Sequence, residues 1–213
     1  MSTPNILLIT KGHPFDSNAF FEIFDAIDVN WTHVEQPAAR IFFSSSQAKN
    51  YDAFVMYDMP GISFGSDGPS FEEPDLHYKE ALIELLENGQ GMVFLHHAIA
   101  GWPAWEEYAE IIGGRFLYVA DQLRGSERPD SGYRHKVSHT LRVVKDHPIT
   151  AELPPNFSMT DELYLSEVFD DSIEPLLTSN YNFTRDNFYS ATSAINGKMF
   201  DNNDWRHDDG SNV

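Results

Sequence analysis

The stretch Gly91–Phe116, GMVFLHHAIAGWPAWEEYAEIIGGRF, decides how this chain is read. An apolar strand, Met92–Leu95, runs straight into the adjacent pair His96-His97 and then into a short amphipathic helix. Pro103 suits the first helical position and Gly113-Gly114 the stop after Ile112. Open α/β sheets place their ligand sites at such turns, because strand carboxyl ends meet helix amino termini there. Two imidazoles at that turn point to chemistry. The plainer alternative is that hydrogen bonds satisfy both rings and they only shape the turn.

The same alternation extends toward the amino terminus. Asn5–Thr10 (NILLIT) reads as a buried strand, and Ser17–Ile27 as a helix capped by Asp16 or Ser17 with Phe20, Phe21, Phe24 and Ile27 on one face. Trp31–Val34 and Tyr51–Met56 are further strands. A Gly- and Pro-bearing loop, about Ile62 to Pro74, has the length of a functional flap. Asp75–Asn88 is a helix whose apolar face is Leu76, Ala81, Leu82, Leu85 and Leu86, with Gly89 as its stop. Strands alternating with helices predict a mostly parallel sheet with helices on both faces, a three-layer flavodoxin-like α/β domain.

The second half is less regular. Asp121–Arg134 has the composition of an exposed, mobile loop, His135–Val144 alternates as a strand, and Ile173–Thr178 is a further candidate strand. Beyond Arg185 the chain reads as polar loop. One domain over residues 1–213 is expected, and because it stops without a closing apolar element it reads as a truncated version of a longer domain.

Composition narrows the function classes. The 213 residues, 41% hydrophobic, suffice for one good core. No apolar run approaches the roughly 20 residues a bilayer span needs, and MSTPNILLIT lacks the pattern of a signal peptide, so a cytoplasmic protein is expected. Cysteine is absent, which removes disulfides, thiolate ligands and a cysteine nucleophile together. Fourteen basic residues against 33 acidic ones give a net charge of −19, a surface that repels nucleic acids and anionic membranes but not a neutral sugar. Solubility alone also accounts for such acidity. A homodimer is the commonest assembly for a soluble domain that associates.

In a parallel sheet, four loops converge at the carboxyl edge: Lys11-Gly12-His13, Glu35-Gln36-Pro37, Tyr57–Gly61 and His96-His97. They gather imidazoles, a carboxylate (Asp58) and a phenol (Tyr57) suited to acid–base work on a polyhydroxylated ligand. His13 before Pro14 also fits plain solvent exposure. Nine histidines raise a divalent metal, although no HExxH motif is present. His135 and His139 would share a strand face about 13 Å apart, too far for one ion. A site built from His96 or His97 with a distant histidine and Glu162 stays open. Asp161 and Glu162 point to opposite faces of a strand, and Glu162 is the one chosen for a site, with a solvated acidic edge as its alternative. Trp102 and Trp105 could stack on a sugar ring or pack in the core. There is no G-x-S-x-G elbow, P-loop or dinucleotide fingerprint, so nucleotide cofactors are disfavoured and none is predicted.

Five segments carry a resemblance: TKGHPFDSNAFFEIFDAI (Thr10–Ile27), THVEQPAA (Thr32–Ala39), YDAFVMYDMPG (Tyr51–Gly61), the Gly91–Phe116 stretch, and HPITAELPPNFSMTDELYLS (His147–Ser166). In this order they resemble the trehalose-utilization (ThuA-like) family, which has the fold of class I glutamine amidotransferases. The amidotransferases carry a nucleophilic cysteine at the strand-to-helix turn. Here His96 or His97 stands in its place, so the resemblance implies no glutaminase activity. It implies instead an enzyme of trehalose or related disaccharide metabolism, acting on a glycoside or 3-keto-glycoside. A non-catalytic sugar-binding or regulatory protein and a metal-dependent hydrolase are the alternatives. Carried over by position, His13, Asp58, His96, His97 and Glu162 would be the site, and the final strand and helix normal to the family are missing. His96, His97, Asp58 and Glu162 are the expected catalytic residues, and His13, Tyr57 and Trp102 the expected substrate contacts.

Overall fold

Ile6–Thr10 are five consecutive buried residues, and the first half of the protein is built around them. A strand buried on both faces must be paired on both edges and covered above and below. The computed structural model describes residues 2–65 and 68–213. The chain forms two compact units: Met1–Phe64 with Ser70–Trp105, and Gly65–Pro69 with Glu106–Val213.

In the first unit the order is β1 (Asn5–Lys11), α1 (Ser17–Asp25), β2 (Asn30–Glu35), a 3-10 turn (Ala38–Phe42), α2 (Ser45–Ala48) and β3 (Ala53–Asp58). Two short strands follow, β4 (Ile62–Gly65) and β5 (Gly68–Phe71), then α3 (Leu76–Glu87), β6 (Gly91–Phe94) and a second 3-10 turn (His96–Ala100). The strands β2, β1, β3 and β6 lie side by side in that order, all parallel. The register sets Lys11 beside Asp58 and Met56 beside Phe94, so the carboxyl ends share one edge.

Alternation along the strands divides the core. Ile6, Leu8 and Val55 pack with Phe24 of α1, joined by Phe20, Phe21 and Trp31. Leu7, Ile9, Phe54 and Met56 have the opposite parity and are fully buried. Over Phe54 lies Phe43, ring centroids 5.3 Å apart, and Phe43 meets Tyr78 of α3 at 4.7 Å. Asp16 and Asp75 cap α1 and α3 by accepting from Ala19 N and Tyr78 N. Two details depart from expectation: α1 stops at Asp25 with Ile27 exposed, and Leu76 is exposed while Tyr78 takes its place in the core. The helix after the histidines begins at Glu106, not at Pro103, because His96–Ala100 is a 3-10 turn. The expected flap between Ile62 and Pro74 contains β4 and β5, and its residues 66–67 lie outside the described residues.

The second unit is antiparallel in its sheets. It contains α4 (Glu106–Ile112), β7 (Gly114–Arg115), β8 (Asp121–Leu123), β9 (Ser126–Arg128), β10 (Gly132–Val143), β11 (Asn156–Leu165), β12 (Glu167–Val168), β13 (Leu177–Ser179), β14 (Tyr189–Ser190) and α5 (Ala191–Ile195). The long pair β10–β11 carries β13 and β14 on the other edge of β10. The expected mobile loop over Asp121–Arg134 is instead the β8–β9 hairpin and the start of β10. Its two-residue turn, Arg124-Gly125, has φ of 50° and 73°, the positive values a tight hairpin requires. Arg124 is then clasped by Glu110 and Asp171 and lies 3.6 Å over the ring of Phe169. The polar tail beyond Arg185 supplies core residues: Phe188 and Trp205 are buried with Leu165, and the Trp205 indole donates to Asp130 O at 3.2 Å.

Truncating Phe54 to alanine removes the ring that fills the α3 side of the sheet. The expected loss is ~3–5 kcal/mol, read as a lower urea midpoint with an unchanged transition slope.

Candidate functional site

Strand order reverses between β1 and β3, since β2 lies to one side of β1 and β3 to the other. Ligands of open parallel sheets bind outside the carboxyl ends at such a reversal. His13 follows β1 there, Tyr57 sits near the end of β3, and His96 and His97 follow β6.

Backbone geometry brings these loops together. The Met59 N–H donates to Lys11 O at 2.8 Å, which ties the loop after β3 to the end of β1. Lys11 and Gly12 both have positive φ, 146° and 102°. A Cβ on Gly12 would lie 2.4 Å from Met59 O, so only glycine permits this approach. Past that crossing, the His13 ring stacks on His97 with centroids 3.5 Å apart and planes at 27°. Tyr57 meets both edge-on, at 4.8 Å from His13 and 5.1 Å from His97. Behind it Tyr57 stacks on Phe20 of α1 at 4.4 Å, and Phe15 closes the other side at 5.4 Å. His96 is exposed, its ring 5.0 Å from that of His97. The sequence reading therefore gains a real cluster: His13, Tyr57, His97 and His96 sit in ring-to-ring contact.

Asp58 and Trp102 belong elsewhere. Asp58 follows Tyr57 on a strand, so its side chain points to the opposite face. There it is fully buried, accepting at Oδ2 from Gln36 Nε2 at 2.9 Å. Burial pushes its carboxyl up to about 7, against the smaller opposing effect of the Gln36 hydrogen bond. Trp102, expected at a sugar-stacking rim, is 2% exposed with its ring 5.5 Å from that of Tyr78. Its indole faces are used in packing. Trp105, the other aromatic weighed for stacking, is also buried. Sequence reasoning passed over Gln36 and Tyr78 as individual residues, although Gln36 lay in a loop expected at this edge.

The second unit holds Glu162. Its Oε1 lies 3.1 Å from His135 Nδ1, an ion pair when the ring is protonated. His135 and His139 do not share a face as expected. The β10–β11 register slips between Arg134 and Val137, where Lys136 has φ 56°, and this bulge inserts one residue and reverses the alternation. His139 is buried against Ser179 Oγ at 2.8 Å, while His135 faces solvent beside Glu162.

For a metal, His96 and His97 offer two adjacent imidazoles in the first unit. Protein sites use three or four ligands, so the pair by itself is an incomplete set. Among the described residues no helix is long and apolar enough to cross a membrane. Replacing Gly12 by alanine is expected to destabilise the protein by more than ~1 kcal/mol through the forced φ and the clash with Met59. The control is Gly89→Ala, at φ 81° with open space around its Cβ, and the thermal midpoint of Gly12→Ala should fall further.

A family model described as ThuA, trehalose utilisation, matches residues 6–202. No curated protein matches the chain. Among solved structures, a putative ThuA-like protein from Parabacteroides merdae ATCC 43184 is similar at 19% identity with a TM-score of 0.59, over 84% of this chain and 68% of that one. The structural likeness bears on the fold, and the family match covers the β1, β3 and β6 ends together with both elements of the β10–β11 pair. The chain belongs to the ThuA, trehalose-utilisation, family.

Proposed function

We propose that this protein is an enzyme of disaccharide catabolism in the cytoplasm, acting on a neutral glycoside or 3-keto-glycoside by imidazole acid–base chemistry. One observation carries the reading: the contact cluster of His13, Tyr57 and His97 at the reversal point of a parallel sheet. The strand order β2-β1-β3-β6 also supports reading the first unit as a three-layer, flavodoxin-like arrangement.

The chemistry follows from what an imidazole pair can do. In a 3-keto-glycoside the C2–H is acidic, because the carbonyl stabilises the resulting enolate. A neutral ring, His97 or His96, takes that proton. The enolate electrons then re-form the carbonyl and a C1–C2 double bond forms as the C1–O bond breaks. The protonated imidazole returns its proton to the departing oxygen. The products are an unsaturated keto sugar and an alcohol, with no external oxidant needed. His13, stacked on His97, and the Tyr57 hydroxyl supply hydrogen bonds that orient the sugar and steady the enolate oxygen. A carbohydrate also suits a chain of charge −19, which would repel an anionic substrate.

The test is turnover of trehalose and of 3-ketotrehalose by the purified protein and by His97→Ala, His96→Ala and His13→Ala. Loss of the proton-transfer group should lower kcat by about 10²–10⁴-fold with the fold intact. Unchanged turnover in all three variants, or calorimetric binding of sugar with no product, would replace this reading with a sugar-binding one.

A further inference from the structure

On the buried face of β3, opposite the histidine cluster, two oxygens lack partners. Asp58 Oδ1 and Gln36 Oε1 are both buried and make no hydrogen bond, although their sister atoms are joined by the Gln36 Nε2–Oδ2 bond. A carboxyl and a primary amide are flat groups of matching size. When one N–H···O bond joins them in their common plane through the amide hydrogen on the carbonyl's side, the remaining oxygen of each faces the other. Two acceptors facing each other repel, and a proton on one turns the repulsion into a second hydrogen bond.

We propose that Asp58 is a neutral carboxylic acid in the native protein, its Oδ1–H donated to Gln36 Oε1, so that acid and amide close a two-bond ring that positions the carboxyl end of β3. The inference stands on the fold and does not depend on the reaction proposed above.

The surroundings offer a carboxylate little. From α3 comes Tyr78, whose ionisation is pushed up by burial and by the neighbouring Asp58, against smaller opposing effects of Trp102 and Gln36. The indole of Trp102 acts on the Tyr78 hydroxyl and makes no hydrogen bond to the carboxyl. From the first 3-10 turn comes Arg40, but its guanidinium lies over the Tyr78 and Trp102 rings at 5.7 and 5.3 Å and is paired with Asp75 at 3.2 Å. From β1, Lys11 neighbours Asp58 in register and is exposed. A fully buried carboxylate held by one amide donor and its own backbone N–H is costly, whereas the neutral acid satisfies both orphaned oxygens with one hydrogen bond. The raised pKa of Asp58, about 7, agrees with this.

The ring matters to the site because of where it sits. Asp58 lies between Tyr57, which packs on His13 and His97, and Met59, which bonds to Lys11. Deprotonation would set Oδ1 against Oε1 and push the loop after β2 away from the end of β3. Asp58 is thus a positioning residue, not a carboxylate that orients an imidazole.

The sign is testable. The native state keeps a proton that the unfolded chain loses near the ordinary aspartate value of 3.8, so stability from this group is full at low pH and falls as pH rises toward about 7. Urea unfolding of the full chain is compared with that of Asp58→Asn, whose amide reproduces the ring with Nδ2–H donating to Gln36 Oε1. The unfolding constant of the parent relative to the variant should climb by up to about tenfold per pH unit across that window and then level off. Infrared difference spectra of the parent against Asp58→Asn should also show a neutral carboxylic-acid carbonyl band that persists above the pH at which ordinary carboxyls ionise and vanishes near neutrality. If Asp58→Asn does not fold, the same band followed with pH in the parent alone decides the matter. A parent-to-variant ratio that does not change with pH, or no acid band above the ordinary carboxyl range, overturns the proposal.

Discussion

The distance between the loop after β1 and the loop after β3 governs the rest of the first unit's carboxyl edge. It is set by one hydrogen bond, Met59 N–H to Lys11 O, and by the missing side chain of Gly12. With any other residue at position 12 the β3 loop would have to retreat, and His13 could not lie on His97 while touching Tyr57. The energetic weight of the sheet beneath, with Leu7, Leu8 and Ile9 fully buried, is what holds a backbone with two successive positive φ values in place.

Strand β3 then serves two purposes at consecutive positions. Tyr57 presents a phenol to the imidazoles on one side. Asp58 lies fully buried on the other, bonded to Gln36 and near Tyr78. Because side chains alternate on a strand, one residue can meet the chemistry while the next braces the loop that carries it. The family match, trehalose utilisation over residues 6–202, spans both of these positions and the loops they hold.

The first half was legible because its signals are strong and local. NILLIT can only be a doubly covered strand, Asp16 and Asp75 are good caps, and the apolar runs give the order of the elements. The convergence of His13, Tyr57 and the histidine pair followed from parallel topology alone. What failed was side-chain direction. Asp58 is expected with the histidines because its loop ends at the same sheet edge and the family resemblance puts it there, although its place next to Tyr57 on a strand sends its side chain the other way. Trp102 was ambiguous, since an indole at a turn suits a rim or a core, and a φ of 46° there is invisible in composition. In the second half, antiparallel pairing joins distant segments: Trp205 packs on Leu165 and bonds to Asp130, contacts with no local signature. The Arg124-Gly125 turn was hidden by a polar composition that also describes a loop.

The extra residue in β10 has an effect on how this strand tolerates length changes. Tyr133 is buried and receives the Phe200 N–H at its hydroxyl, on the stretch that the bulge offsets from the ladder beyond Val137. Deleting a single residue at Lys136 would straighten the ladder and leave Gly132–Arg134 and the stretch from Val137 opposite the same β11 partners, whereas a deletion elsewhere in the strand would turn one stretch over. The kink is therefore a frame marker: it lets residues of opposite sequence parity share one face of the sheet, and it is where the ladder of β10 can lose a residue without any side chain changing sides.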